Sequence, residues 1–115
     1  MNKIRVQENT LINEQIFNVV NTIDHINEFI DLHGQNKDFS VSTVRQRLFE
    51  VKQGIANHTI TPNFDSVNHI FKISCGAGKH SKGAPVLKNA MLNLLKNENY
   101  DHYSLFEDGV FLVRF

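Results

Sequence analysis

Apolar residues at Val41, Val44, Leu48, Val51 and Ile55 recur at steps of three and four, with charged residues between them, which predicts an amphipathic helix. Asp38 or Ser40 is the expected N-cap. A second helical stripe, Val86, Leu87, Ala90, Met91, Leu94 and Leu95, follows Pro85, a residue suited to a first turn. Phe29 to His33 alternates instead. Ile30 and Leu32 face one way and Phe29, Asp31 and His33 the other, as in a short strand ended by Gly34. Ile70 to Ser74 predicts a second strand. Tyr103 to Phe106 and Val110 to Phe115 predict two more, joined through Glu107, Asp108 and Gly109, because Asp-Gly between apolar runs marks a hairpin. Gln35 to Asp38 and Asn57 to Asn68 read as polar loops, and Asn97 to Asp101 as an exit turn. Upstream, Ile12, Ile16, Val19 or Val20, Ile23 and Ile26 predict a further helix near Leu11 to Val20, weakened toward its end by Asn18, Asn21 and Thr22.

The resulting order is an N-terminal helix followed by β-α-β-α-β-β. The expected class is α/β, an α+β two-layer sandwich on a mixed four-stranded sheet, with residues 1–28 as a helical extension and 29–115 as the domain proper. A strand-helix-strand crossover makes its two strands parallel, so both C-terminal ends lie on one edge of the sheet. Those ends are Asp31-Leu32-His33-Gly34 and Cys75-Gly76-Ala77-Gly78. Ligands of open α/β sheets favour such an edge, and Asp31 and His33 are expected to approach the glycines there.

Composition narrows the picture. At 115 residues, with 41% hydrophobic and 21% charged, the chain suits one globular domain. No apolar run reaches membrane-spanning length, and the first ten residues lack the apolar core of a secretory signal. A lone cysteine, Cys75, fits a reducing compartment, so an intracellular place, cytoplasmic or nuclear, is expected with no membrane partner. Net charge is zero, yet Ser66 to Asn97 contains no Asp or Glu while holding Lys72, Lys79, Lys82, Lys88 and Lys96. That split predicts a local positive face open to a polyanion, or else a run of solvated lysines.

The stretch from Ser74 to Pro85, SCGAGKHSKGAP, sits where a strand hands over to a helix. Free backbone N–H groups and the positive end of a helix dipole suit phosphate there. Glycines at such a junction also serve a tight turn and nothing more. The stretch is not a Walker A loop, since Gly78-Lys79 is followed by His80 and Ile73 occupies the first glycine position. The dinucleotide pattern fails at Ser81, where its third glycine belongs, so no nucleotide cofactor is expected. No metal site is expected either: the histidines and Cys75 show no zinc spacing, and His25, His58, His69 and His102 read as surface or packing residues.

Four segments carry a resemblance: IDLHG at Ile30 to Gly34, CGAGKHSKG at Cys75 to Gly83, PVLKNAMLNLL at Pro85 to Leu95, and the closing GVFLVRF. In this order, over about Phe29 to Phe115, they resemble the Smr (small MutS-related) domain family. INEQIFNVVN, from Ile12, is similar to the helix end that leads into Smr domains of eukaryotic multidomain proteins. The resemblance implies a β-α-β-α-β-β sandwich like the C-terminal domain of bacterial translation initiation factor three. It also implies nucleic-acid binding and, as in several members, endonuclease activity that cleaves RNA or nicks DNA. On that likeness Asp31 and His33 are the catalytic candidates. Gly34, Gly76, Gly78, Lys79, His80, Ser81, Lys82 and Gly83 are the candidates for binding the nucleic acid. Cys75 stands where the family commonly has Thr or His, and Ala77 where Lys or Arg is frequent. The expected chemistry is phosphodiester hydrolysis without a required cofactor, Mg²⁺ being an alternative for which one carboxylate supplies few ligands. Rival readings are a non-catalytic nucleic-acid-binding module and a protein-interaction domain. Phe39, Phe64 and Tyr103 are the aromatic candidates for base stacking.

Overall fold

The structure, a computed structural model, describes residues 26–76 and 84–115. Its longest element, helix α1, runs from Lys37 to Ala56 and buries Val44, Leu48 and Val51 on the expected stripe. The helix begins before either candidate cap. Asn36 is the N-cap, its side-chain oxygen accepting the Phe39 N–H at 2.8 Å. Asp38 instead sits in the first turn, where a carboxylate favours the helix dipole, and Ser40 is buried inside the helix. Three capping-type residues two apart look alike in sequence; only the backbone path out of the preceding turn selects among them.

Helix α2 runs from Ala84 to Asn97 and buries Leu87, Ala90, Met91, Leu94 and Leu95. Val86, assigned to the same stripe, is 50% exposed, whereas Lys88 is buried. The exchange has a cause. The Lys88 stem lies along the Phe106 ring, its ammonium 5.6 Å from the centroid, and Nζ donates to the Glu107 carbonyl at 3.3 Å.

Four strands, β1 (Phe29–Asp31), β2 (Ile70–Ser74), β3 (Asp101–Leu105) and β4 (Val110–Arg114), form one sheet in the order β1-β2-β4-β3. β1 and β2 are parallel, and β4 runs antiparallel between β2 and β3. The fold class is therefore as read from sequence: an α+β sandwich on a mixed four-stranded sheet. Several strand boundaries move. β1 stops at Asp31, so His33 belongs to a turn and not to the strand. β3 begins at Asp101, because Asp101 opposes Arg114 and the two side chains pair at 2.6 Å across the strands. Phe106 leaves the strand for a short 3₁₀ turn and sets its ring edge-on to Phe111 at 6.4 Å.

One sheet face supplies Ile30, Phe71, Ile73, Phe111 and Val113 to the core beneath both helices. The helix expected near Leu11 to Val20, and with it most of the 1–28 extension, lies outside the described residues. So does Ala77 to Gly83. Among the described residues no helix is long and apolar enough to cross a membrane.

Candidate functional site

Parallel pairing sets Asp31 opposite Ser74, so β1 and β2 end side by side, as the crossover argument requires. The Leu32 N–H extends the ladder one bond further, donating to the Ser74 carbonyl at 2.8 Å. The chain then turns sharply, with the Gln35 N–H donating to the Leu32 carbonyl at 2.9 Å and Gly34 at φ 77°. Asp31 tightens that turn from outside: its Oδ1 accepts the His33 backbone N–H at 2.8 Å. His33 is left exposed at the sheet edge.

The ring lies against the first loop glycine. A Cβ on Gly76 would stand 3.1 Å from His33 Nδ1, so the imidazole and the Gly76 backbone are neighbours. Asp31 and His33 thus share an edge with Gly76. Gly34, on the turn, belongs to the same edge. Gly78, Lys79, His80, Ser81, Lys82 and Gly83 lie outside the described residues.

A residue that the sequence reading treated only as a hairpin signal proves to be part of this edge. Gly109, at φ 68°, faces Gly76 so closely that a Cβ on it would collide with the Gly76 carbonyl. Its own carbonyl accepts the Cys75 N–H at 2.7 Å. The clue lay in topology. A hairpin whose second strand pairs antiparallel with β2 must turn at the end where β2 finishes. The edge is therefore three backbone segments meeting: the β1 turn, the end of β2, and the β3–β4 hairpin.

Cys75 is buried here, at 2% exposure. Burial first, and then the charge of Asp31, push its thiol up to about 12, while Lys88 pulls the other way. At neutral pH the sulfur is protonated and enclosed, so it is a packing residue and no nucleophile. Its small side chain underlies the start of the glycine loop.

Among the described residues the lysines of this stretch do not share one face. Lys88 is buried toward Glu107, Lys72 is exposed on the sheet with Nζ 5.7 Å from the Phe29 ring centroid, and Lys96 lies in the last turn of α2, away from the loop. Residues close in sequence are dispersed because a strand and a helix carry them in different directions. Lys79 and Lys82 fall outside the described residues. His69 is a packing residue: it is buried, with Nε2 2.6 Å from the Asn27 carbonyl oxygen. Among the described residues no three His, Cys, Asp or Glu side chains converge as a metal site.

Chemically, the edge presents an exposed imidazole beside a glycine backbone, with a carboxylate ordering the turn that carries it. No family model matches the chain, and no curated protein matches it. Among solved structures it is similar to the solution structure of the B3BP Smr domain, at 21% sequence identity and a TM-score of 0.69, over 92% of this chain and 94% of that one. Coverage of nearly both whole chains, together with the sheet order and two-layer packing above, gives one conclusion: this chain has the fold of an Smr domain.

Proposed function

We propose that the chain is an Smr-type nucleic-acid-binding domain that cleaves phosphodiester bonds in RNA or nicks DNA. The observation that carries this reading is the contact of His33 with Gly76, which sets an acid–base side chain against the start of a glycine-rich, lysine-bearing loop. In the proposed mechanism, backbone N–H groups from Gly76 to Ser81 and the Lys79 ammonium hold the scissile phosphate and stabilise charge growing on its oxygens. His80, Lys82 and Gly83 continue the same cradle. His33 moves the proton. With RNA, the 2′-oxygen attacks phosphorus as its proton leaves, the P–O5′ bond breaks, and the departing 5′-oxygen takes up a proton. With DNA, water is the nucleophile. Asp31 is a positioning residue, because its carboxylate oxygen holds the His33 backbone. A non-catalytic nucleic-acid-binding module would share the loop and the cradle but not the turnover.

The test is cleavage of labelled single-stranded RNA and of supercoiled DNA by wild type, Asp31→Ala and His33→Ala. Cleavage by His33→Ala is expected to fall on the order of a hundredfold or more, as for loss of a general acid–base group. Equal cleavage by all three proteins overturns the catalytic assignment. Paired Lys79→Glu and Lys82→Glu changes are expected to weaken binding and flatten its salt dependence by about two charges or more. Unchanged affinity points instead to a protein-interaction domain.

A further inference from the structure

Away from the helices, the sheet turns a second face outward. Pairing places Phe29, Lys72, Leu112 and Tyr103 in one row across all four strands, and Asp31, Ser74, Val110 and Leu105 in the next. The second row starts at the candidate site, so this face and the Asp31–His33–Gly76 edge are one continuous surface. Its far side is apolar and open: Tyr103 is 64% exposed and its neighbour Leu105 is 38% exposed. The face also carries Asp31, Asp101, Lys72 and Arg114. Asp31 accepts the His33 N–H and Asp101 pairs with Arg114, while the exposed Lys72 ammonium lies over the Phe29 ring. Arg114 offsets Asp101 and Lys72 offsets Asp31, so the face is neutral as a whole, with the exposed Lys72 ammonium as a local cation in the row that ends at Tyr103.

We propose that this open face is a stacking platform for unpaired bases, so that the substrate is a single strand of nucleic acid. The strand's backbone is held at the Asp31–His33–Gly76 edge, and its following bases lie across Leu105 and Tyr103 with Lys72 beside their phosphates. An aromatic ring on a flat sheet needs the bare face of a base, which a duplex hides between neighbouring pairs. The other exposed aromatics do not fit. Phe64 is on the loop that precedes β2, at the opposite end of the strand, where Asp65 adjoins it and no Lys or Arg occurs between Asn57 and Asn68; Phe49 is on the solvent side of α1. Phe39 is half-buried in the first turn of α1. The proposal rests on the polynucleotide reading of the edge.

The experiment titrates the full chain with a fluorescent ten-residue oligothymidylate, which lacks the 2′-hydroxyl, and with a ten-base-pair DNA duplex. Wild type is expected to prefer the single strand. Tyr103→Ala is expected to lose on the order of tenfold in single-strand affinity, and Tyr103→Phe to keep it. The slope of affinity against salt stays unchanged in both, since no phosphate contact is removed. In the NMR spectrum the Tyr103 ring protons move upfield on adding oligothymidylate, a shift that a merely structural role would not produce. Equal affinity of Tyr103→Ala and wild type, with unmoved ring signals, overturns the platform. If Lys79→Glu still weakens binding in that case, the edge reading survives and the platform alone has failed. A wild type that binds neither probe overturns both. Self-association that Tyr103→Ala abolishes also overturns the platform, by making this face an interface between copies of the chain.

Discussion

At the end of the sheet where β1 and β2 finish, three segments meet backbone to backbone. At the end where they begin, side chains add to the backbone pairing. There the His69 and Phe115 backbones exchange hydrogen bonds of 3.2 and 2.9 Å, and the Phe115 ring lies 6.2 Å from His69 and 5.9 Å from Tyr100 between centroids. The preceding loop is closed in the same manner. Asn63 donates its amide to the Ile70 carbonyl and accepts the Ile70 N–H, both at 2.8 Å, and the Asp65 carboxylate accepts N–H groups of Val67 and Asn68. These hydrogen bonds hold Asp65 below the usual carboxylate range, the Asn68 side chain first. A concavity of about 380 Å³ at this end has Ile55, Tyr100 and Phe115 in its lining, with Lys52 and Glu98 also around it.

The difference is one of what fills space. Rings and side-chain amides supply the surface at the closed end and cross-link the chain there, leaving a concavity walled by side chains. At the other end Gly76 and Gly109 bring main chains together without side chains, which keeps backbone and the His33 ring within reach of a ligand. Side chains dominate the contacts at one end, and closely packed main chain those at the other.

Three measurements break or sharpen this contrast. The largest effect is expected from Gly109→Ala, which combines a positive φ with a collision against the Gly76 carbonyl. A destabilisation on the order of 3 kcal/mol is expected, visible as a fall of roughly 10 °C in melting temperature, with loss of cleavage at temperatures where the protein is still folded. A variant as stable as wild type shows that the backbone contact is dispensable. Phe115→Ala is next. Its ring touches His69 and Tyr100 but is only half-buried, so roughly 2 kcal/mol is expected in urea unfolding. Nucleic-acid affinity should stay at the wild-type value, because Phe115 lies at the opposite end of β2 from Gly76; a parallel loss of affinity would erase the distinction between the ends.

At neutral pH the smallest effect concerns Cys75, whose ionisation matters only in alkali. Its folded thiol is pushed from 9.0 up to about 12, whereas the unfolded thiol ionises normally. Between those values unfolding releases a proton, so this group's contribution to stability is intact below about pH 9 and is lost as pH rises toward 12. The decline is at most about 1.4 kcal/mol per pH unit, and Cys75→Ala is expected to remove it from the alkaline stability profile. Identical slopes in the two proteins count against a buried, protonated sulfur beneath the loop.

Most of the architecture was legible from residue order, because period and punctuation are local. The 3-4-3-4 stripe of α1, the alternation of β1 and β2, and the Asp-Gly of the hairpin each act within a few residues. Parallel pairing follows from the crossover rule, and it places Asp31 and His33 on the edge that ends at Gly76. The likeness of four segments to Smr domains pointed to the same fold, which the structural match bears out.

What escaped sequence depends on partners distant along the chain. Asn36 and not Asp38 caps α1 because of how the preceding turn leaves β1; Lys88 is buried and Val86 exposed because the hairpin, some twenty positions later, supplies a ring and a carbonyl. The run of lysines suggested one positive face, yet strand, helix and burial separate its described members. Gly109 shows the same limit most sharply, since a glycine in a hairpin and a glycine pressed on another backbone look identical in one dimension. The glycine-rich stretch drew attention to this edge through its own composition. That His33 and Gly109 flank its first glycine was decided by packing, where a contact exists only once two remote segments occupy neighbouring space.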